Sequence, residues 1–340
     1  MRTDPIKLEK ILDKIKNLEF LVVGDLILDK YIWGNVERIS QEAPVPVLEI
    51  TKNENRLGGG GNIIKNLRNL GVKVTACGLV GDDIEKKEII NLLKDSDVST
   101  EGIFIDKSRP TTIKTRIIAK TQQLVRIDRE EKTTPNTDLK NKISEFVSKS
   151  MKSVDGIIIA DYGKGVINSD LLTLISEARK NNKIGLKVKP VSVDPSPANH
   201  DLYQGISIAK PNRKEAEKAT GIKITDQASA RRAGQILREK WNCEMVLISL
   251  GEDGLSIFST ENPDGIFVDT VAREVFDVSG AGDTVTSVFT AAIAAGADSL
   301  AAGELANLAA GIVVSEVGTV PIRRDQLDLE LNKVFPGKKL

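Results

Sequence analysis

The sequence predicts an α/β fold, a three-layer α/β/α domain with a mostly parallel central sheet and a small β-sheet lid. Three observations carry this. Strand and helix patterns alternate almost from end to end; the strand segments are near-continuous apolar runs; and the last two helices are rich in alanine. Apolar runs without alternation mark strands covered on both faces, and strands alternating with helices predict an open parallel sheet flanked by helices.

In chain order, the first seventeen residues are charged and helical in period. Residues 20–28 read as a buried strand, 62–70 as a helix, 74–80 as the next strand and 84–94 as a helix. Further β-type runs at 156–160, 206–209 and 245–250 are separated by helical patterns at 138–150, 169–180 and 226–240. The alanine-rich helices lie near 281–295 and 300–316. Two stretches break the rhythm. Residues 31–50 carry Pro44 and Pro46, and residues 111–128 alternate polar with apolar side chains. Alternation marks strands with one wet face, so these two insertions are expected to form a small antiparallel sheet projecting from the body as a lid. No repeat or linker divides the chain, which is read as one domain over residues 1–340.

Composition excludes several chemistries. The chain holds 48 basic and 48 acidic residues, which argues against binding nucleic acid mainly through its phosphates. Cys77 and Cys243 have no CxxC partner and, with His200 as the one histidine, cannot supply a structural zinc site or a histidine-based hydrolase. Scarce cysteine, a charged N-terminus and no membrane-length apolar tract lead to the expectation of a soluble, cytoplasmic protein with no membrane partner. What chemistry there is must run on carboxylates, lysines, backbone amides and oxygen-bound metals.

Three glycine-rich spots locate it. Gly58-Gly59-Gly60-Gly61-Asn62 fails the dinucleotide fingerprint, because Ile63 and Ile64 stand where its last glycine must fall; it reads as a flexible turn or, preferably, as backbone that approaches a ligand closely, with Asn62 bonding to it. Asp277-Val278-Ser279-Gly280-Ala281-Gly282-Asp283-Thr284 leads straight into an alanine-rich helix whose free N–H groups suit a phosphate. Asp283 in that first turn is either a dipole-stabilised acid or a base that takes a proton from an attacking hydroxyl, and the second role makes loop plus acid a phosphoryl-transfer arrangement. The third, Gly163-Lys164-Gly165, follows a strand end, where ligands gather in open sheets, and Lys164 is a candidate anion contact there.

Taken in order, these motifs resemble the ribokinase-like (PfkB) family of carbohydrate kinases. The glycine box with Gly71, Gly78 and Gly81-Asp82-Asp83 is one family signature, and residues 277–284 are the other. The segments Val23-Gly24-Asp25, Asp29-Lys30-Tyr31, Arg38-Ile39-Ser40, Glu42-Ala43-Pro44-Val45-Pro46-Val47, Gln122–Asp128 and Ala160–Gly165 are similar to its D-glycero-β-D-manno-heptose-7-phosphate kinase branch. The resemblance implies ATP- and Mg²⁺-dependent phosphorylation of O1 of heptose 7-phosphate, giving the 1,7-bisphosphate for nucleotide-activated heptose biosynthesis. Asp283 aligns with the family's base, and Gly280, Ala281 and Gly282 with its anion hole. Asp25, Asp29, Gly58, Gly59 and Asn62 match the sugar cradle, with Gln123 in the branch segment beside it. Asn212 and Glu215 match a segment serving nucleotide phosphates and water-held Mg²⁺, although on residues alone they would pass for a capping box. Arg213 and Lys214 lie within that segment; Ser249, Gly251, Gly254 and Asn307 match the loop and helix that bracket the nucleotide. Asp277 and Ser279 fall where related kinases bind a monovalent cation such as K⁺. Arg116, Arg126, Lys164 and Lys187 are candidates for the 7-phosphate, which needs cationic partners.

Departures from the branch, Gly60-Gly61 for alanines, Ser196 for the lysine after Asp194-Pro195 and a ribokinase-like Ser249-Leu250-Gly251, bear on the sugar's identity. The alternatives are a kinase for ribose, fructose or another sugar phosphate, or a non-catalytic sugar- or nucleotide-binding regulator. In many bacteria the branch is the first half of a longer protein with an adenylyltransferase half; with the sequence ending at Leu340, that second activity is expected to be absent. The exposed lid edge is expected to pair with a second copy as a homodimer.

Overall fold

A computed structural model of the chain describes residues 1–120, 122–180, 189–271 and 275–334. Lys187, one of the phosphate candidates, lies outside them. The apolar runs fold into a nine-stranded sheet of order β13-β12-β11-β10-β9-β8-β1-β4-β5. Its strands are β1 (Glu19–Gly24), β4 (Lys73–Val80), β5 (Ile103–Ile105), β8 (Gly156–Ala160), β9 (Val191–Asp194), β10 (Ile208–Ala209), β11 (Met245–Ser249), β12 (Leu255–Ser259) and β13 (Ile266–Val268). From β5 through β11 every pairing is parallel; β12 and β13 add an antiparallel edge.

Helices cover both faces, and each face has its own apolar cluster. On one side α1 (Pro5–Ile15), α2 (Gly60–Asn69), α3 (Ile84–Lys94), α8 (Ala281–Ala294), α9 (Ser299–Val313) and α10 (Arg324–Val334) meet residues such as Phe20, Val22 and Ile158. On the other, α4 (Thr137–Ser150), α5 (Ser169–Lys180), α6 (Arg213–Thr220) and α7 (Gln227–Trp241) meet Leu21, Val23 and Ile157. Consecutive residues of one strand thus serve opposite clusters, which is why the strand reads as an unbroken apolar run. Small side chains at Ala291, Ala302, Ala306 and Ala309 are fully buried and let α8 and α9 lie close on the sheet and on each other.

A second, four-stranded sheet of order β3-β2-β6-β7 forms the lid, from β2 (Leu26–Ile39), β3 (Pro46–Gly59), β6 (Thr112–Ala119) and β7 (Gln122–Arg129). Three expectations are corrected here. The run at 20–28 is two strands, because the chain leaves the main sheet at Asp25, whose N–H bonds Ala160 O at 3.0 Å, and enters the lid. The lid is not wholly antiparallel: β2 and β6 pair in parallel, since the chain returns to the lid by way of α2, β4, α3 and β5. The four glycines form no loop. Gly58 and Gly59 end β3, and Gly60 and Gly61 open α2.

Candidate active site

The N-terminal turns of α8 meet residues at the carboxyl ends of β8, β9 and β10 — Tyr162, Asp194 and Lys210 — and Asn62 of α2. Gly280 is the N-cap of α8, with φ +83° and no side-chain cap, so no side chain of the cap residue occupies the first-turn N–H groups. A Cβ there would lie 2.8 Å from Asn62 Nδ2, so this position takes glycine on both conformational and steric grounds. Ala281 N–H makes a long bond, 3.3 Å, to Val278 O.

Asp283 follows in the first turn and is buried. No lysine or arginine is ion-paired to it among the described residues. Its Oδ2 accepts from Asn62 Nδ2 at 2.8 Å, and its Oδ1 accepts a short bond from the Tyr162 hydroxyl. Burial, with the neighbouring charge of Asp194, pushes the Asp283 carboxyl up to about 7, against the pull of those two donors and Lys210. A carboxyl that titrates near neutrality beside an anion-receptive helix end is suited to take a proton from an alcohol. Tyr162 remains a donor, because burial and the charge of Asp283 raise its phenol well above the ordinary value.

Sequence reasoning missed Tyr162, Asp194 and Lys210 as members of this cluster, although Tyr162 and Asp194 stand in segments already singled out and Lys210 directly follows the β-type run at 206–209. Lys210 Nζ lies 3.1 Å from Asp194 Oδ1, while Asp194 Oδ2 accepts from Thr286 Oγ1 at 3.1 Å. The ammonium also faces α8, since a Cβ at Gly282 would lie 3.1 Å from Nζ. Burial pushes the Lys210 ammonium down, and Asp194 and Glu215 outweigh it and hold it above its ordinary value. Asp194 contacts the ammonium and Glu215 and Asp283 act on it through their charge, so carboxylates outnumber the cation here, a balance that suits a hard divalent cation held largely through water. The donor set is oxygen, and with one or two carboxylates reaching it such an ion keeps waters and substrate phosphates as its other ligands. Mg²⁺ fits these residues.

The sugar-cradle candidates divide. Asn62 reaches Asp283 as described. Asp29 is buried and pairs with Arg116 at 2.6 Å, with Thr319 Oγ1 at 3.3 Å; Gly58 faces it so closely that a Cβ there would sit 2.4 Å from Oδ2. Arg116 and Arg56 flank the Tyr31 ring at 5.3 and 4.8 Å. Gly59 stands at the β3–α2 junction. Asp25 is differently employed: its carboxylate accepts N–H bonds from Tyr162 (2.9 Å), Lys164 (3.0 Å) and Val166 (3.3 Å). It thus ties the 162–166 loop to β1, and its geometry displays loop anchoring where hydroxyl binding was expected. Burial and the nearby Asp161 push its carboxyl up to about 6. Of the phosphate candidates, Lys164 pairs closely with Glu130, and Arg126 forms a bidentate pair with Asp128 at 2.9 and 3.0 Å on the half-exposed lid. Gln123 is exposed on the same strand.

The nucleotide candidates gather at the β10–β11 end. Asn212 and Glu215 do form the capping box of α6, with bonds of 3.0 and 2.8 Å; this engages one Glu215 oxygen and leaves the other uncommitted to the cap. Arg213 donates to Ile224 O at 2.9 Å and Leu250 O at 2.7 Å and pairs with Asp253, while Lys214 is exposed. Ser249 bridges to Asn212, and Gly251 and Gly254 bound the turn after it. A cavity of about 310 Å³ opens here between Arg213, Leu250, Asp253, Phe267 and Thr270. Its neighbour, about 420 Å³, is lined by Asn307, whose amide donates to Asp269 O at 2.8 Å. Asp277 accepts from Ser279 N–H at 2.8 Å and Gly318 N–H at 3.0 Å, joining the α8 loop to the 318 turn.

Comparison with known proteins places this arrangement. The description "pfkB family carbohydrate kinase" matches residues 18–325. The chain is 41% identical over 316 residues to the bifunctional protein HldE of Pelobacter propionicus, covering 93% of this chain and 64% of that protein. It is also 41% identical over 319 residues to bifunctional protein HldE of Helicobacter pylori, covering 94% and 67%. The chain thus spans about two thirds of the length of these curated relatives. Phosphofructokinase-2 from Escherichia coli in complex with substrates and products superposes with a TM-score of 0.76 at 20% identity, over 93% of this chain and 99% of that one. Arabidopsis thaliana ribokinase complexed with ribose and ATP superposes with 0.71 at 21%, over the same shares. These structural likenesses carry the ribokinase-like fold, and the sequence matches carry the family: the chain belongs to the pfkB family of carbohydrate kinases and is a sugar phosphotransferase.

Proposed function

We propose that this kinase transfers the γ-phosphoryl group of ATP to O1 of D-glycero-β-D-manno-heptose 7-phosphate, giving the 1,7-bisphosphate that enters nucleotide-activated heptose biosynthesis. The observation that carries the chemistry is Asp283, a buried carboxylate held by two neutral donors at a helix N-terminus. In the reaction, the O1–H proton passes to Asp283 as O1 bonds to the γ-phosphorus, and the bond from that phosphorus to the β–γ bridging oxygen breaks to release ADP. First-turn amides of α8 and the Lys210 ammonium offset the charge on the equatorial oxygens. Asn62 and Tyr162 fix the carboxylate's orientation, and Asn62 ties it to the sugar side. Mg²⁺ held through water by Glu215, with Asp194 nearby, would neutralise the nucleotide phosphates.

The substrate reading rests on the heptose-branch segments and on the 41% identity to proteins named HldE. It is also supported by the cations of the lid, since a phosphorylated sugar needs them. Asp277 and Ser279 are the proposed monovalent-cation site, and the lid is the proposed homodimer interface in a cytoplasmic enzyme; among the described residues no helix is long and apolar enough to cross a membrane.

The test is to incubate the protein with ATP, Mg²⁺ and one candidate sugar at a time, following products by phosphorus NMR. The expected result is an anomeric phosphate signal from heptose 7-phosphate, with at least tenfold lower kcat/KM for ribose, fructose and fructose 6-phosphate. Absence of heptose turnover beside efficient turnover of another sugar overturns the substrate while leaving the kinase chemistry in place.

A further inference from the structure

The inner face of the lid carries a row of charges set by strand pairing. Lys114 on β6 stands opposite Asp29 on β2 and Asp128 on β7; two residues on, Arg116 stands opposite Tyr31 and Arg126. Paired residues, and residues two apart on a strand, share a face of the sheet. These acids are already engaged by arginines, Asp29 by Arg116 at 2.6 Å and Asp128 by Arg126 at 2.9 Å. The neighbouring Lys164 is held by Glu130, Lys30 by Glu85 at 3.0 Å, and Arg129 by Asp83 and Glu85 at 3.1 and 2.7 Å.

Lys114 is the exception. It is half-buried, and among the described residues no carboxylate lies within ion-pair distance of its ammonium. What it meets is the Tyr162 ring, with Nζ 5.8 Å from the centroid. Burial pushes this ammonium below its ordinary value, and the charges of Lys164 and Arg126 add to that while Asp29 and Asp128 oppose it. A partly desolvated cation among other cations, its nearest acids already taken, is set for an anion that arrives from outside. Its place is equally informative. The hydroxyl of the same Tyr162 donates to Asp283, so one phenol ring separates the ammonium from the base.

We propose that Lys114 is the specificity-determining lid residue that binds the phosphate carried by the sugar, held in place by the Tyr162 ring while the hydroxyl to be phosphorylated sits at Asp283. This rests on the reading of the substrate as a phosphorylated sugar. It adds a residue that neither the family resemblance nor the sequence motifs singled out.

The experiment compares wild type, Lys114→Met and Lys114→Arg, each with heptose 7-phosphate and with the same heptose lacking the phosphate. Methionine keeps the length and the apolar contact with Tyr162 and removes the charge. The expected result for Lys114→Met is a drop of about 10- to 100-fold in kcat/KM for the phosphorylated sugar, the usual worth of a charged hydrogen bond. The loss should fall mainly on KM, with little change for the unphosphorylated heptose, and Lys114→Arg should recover much of it. Equal losses on both sugars, or no loss on the phosphorylated one, overturn the Lys114 assignment and leave the heptose reading standing. If wild type instead turns over another sugar phosphate, the heptose reading falls and the same comparison, made on that substrate and its parent sugar, still decides Lys114. A wild-type preference for unphosphorylated sugars overturns both.

Discussion

Asp283 has two neutral donors and, among the described residues, no ion pair, and this determines how its activity should vary with pH. Its carboxyl is pushed up to about 7, and only the anion can accept a proton from the sugar. We therefore expect kcat/KM to fall as pH drops through about 7. The hydrogen bond from Tyr162 favours the anion, so Tyr162→Phe should move the midpoint upward and cost more activity at pH 7 than at pH 9. A pH–rate profile of the two proteins checks this; an unchanged or lowered midpoint in the variant contradicts it. At this scale the sequence was partly legible. Asp283 and Gly280 announced themselves because helix start, glycine and acid are neighbours in the chain. Tyr162, Lys210 and Lys114 did not, because what joins them to Asp283 is the convergence of strand ends and a lid strand far apart in sequence.

Among the elements, the lid was visible as alternation, yet its pairing was not. Alternation specifies that one face is wet and says nothing about the direction of the neighbouring strand, so the parallel β2–β6 pair emerged only from the path of the chain. The glycine box shows a similar limit: glycine permits a loop, but here it closes a strand on Asp29 and opens a helix. The structure sharpens the dimer reading. Val125 and Ile127 pair with Ile117 and Thr115, which puts them on the face opposite Arg116 and Arg126, and both are exposed, by 45% and 55%. Apolar side chains displayed on the outer face of an edge strand invite a partner strand or sheet. Ile127→Glu is predicted to weaken self-association at least tenfold, read by light scattering across a concentration series, with the wild type dimeric. A monomeric wild type, or a variant that associates as well, removes the lid from the interface.

For the whole molecule, the parallel sheet gathers its chemistry at one edge. In the proposed reading, the carboxyl ends of β1 and β8 and the lid face the sugar, and β10, β11 and α9 face the nucleotide; between them stand β9 and α8, with Asp194, Lys210 and Asp283. The parallel architecture could be read from buried runs and helical periods, since both report on burial by two layers. The run at 206–209 also marked β10, whereas β5, β9 and β13, of three, four and three residues, are too brief to show a period. This division leads to the central claim, that one carboxylate between the two halves takes the sugar's proton without being needed to hold either substrate. The most direct measurement is kcat of Asp283→Asn with ATP and heptose 7-phosphate, alongside nucleotide affinity by calorimetry. The account predicts a fall of about two to four orders of magnitude in kcat with ATP affinity retained. A variant that binds ATP and turns over at a near-native rate would contradict it.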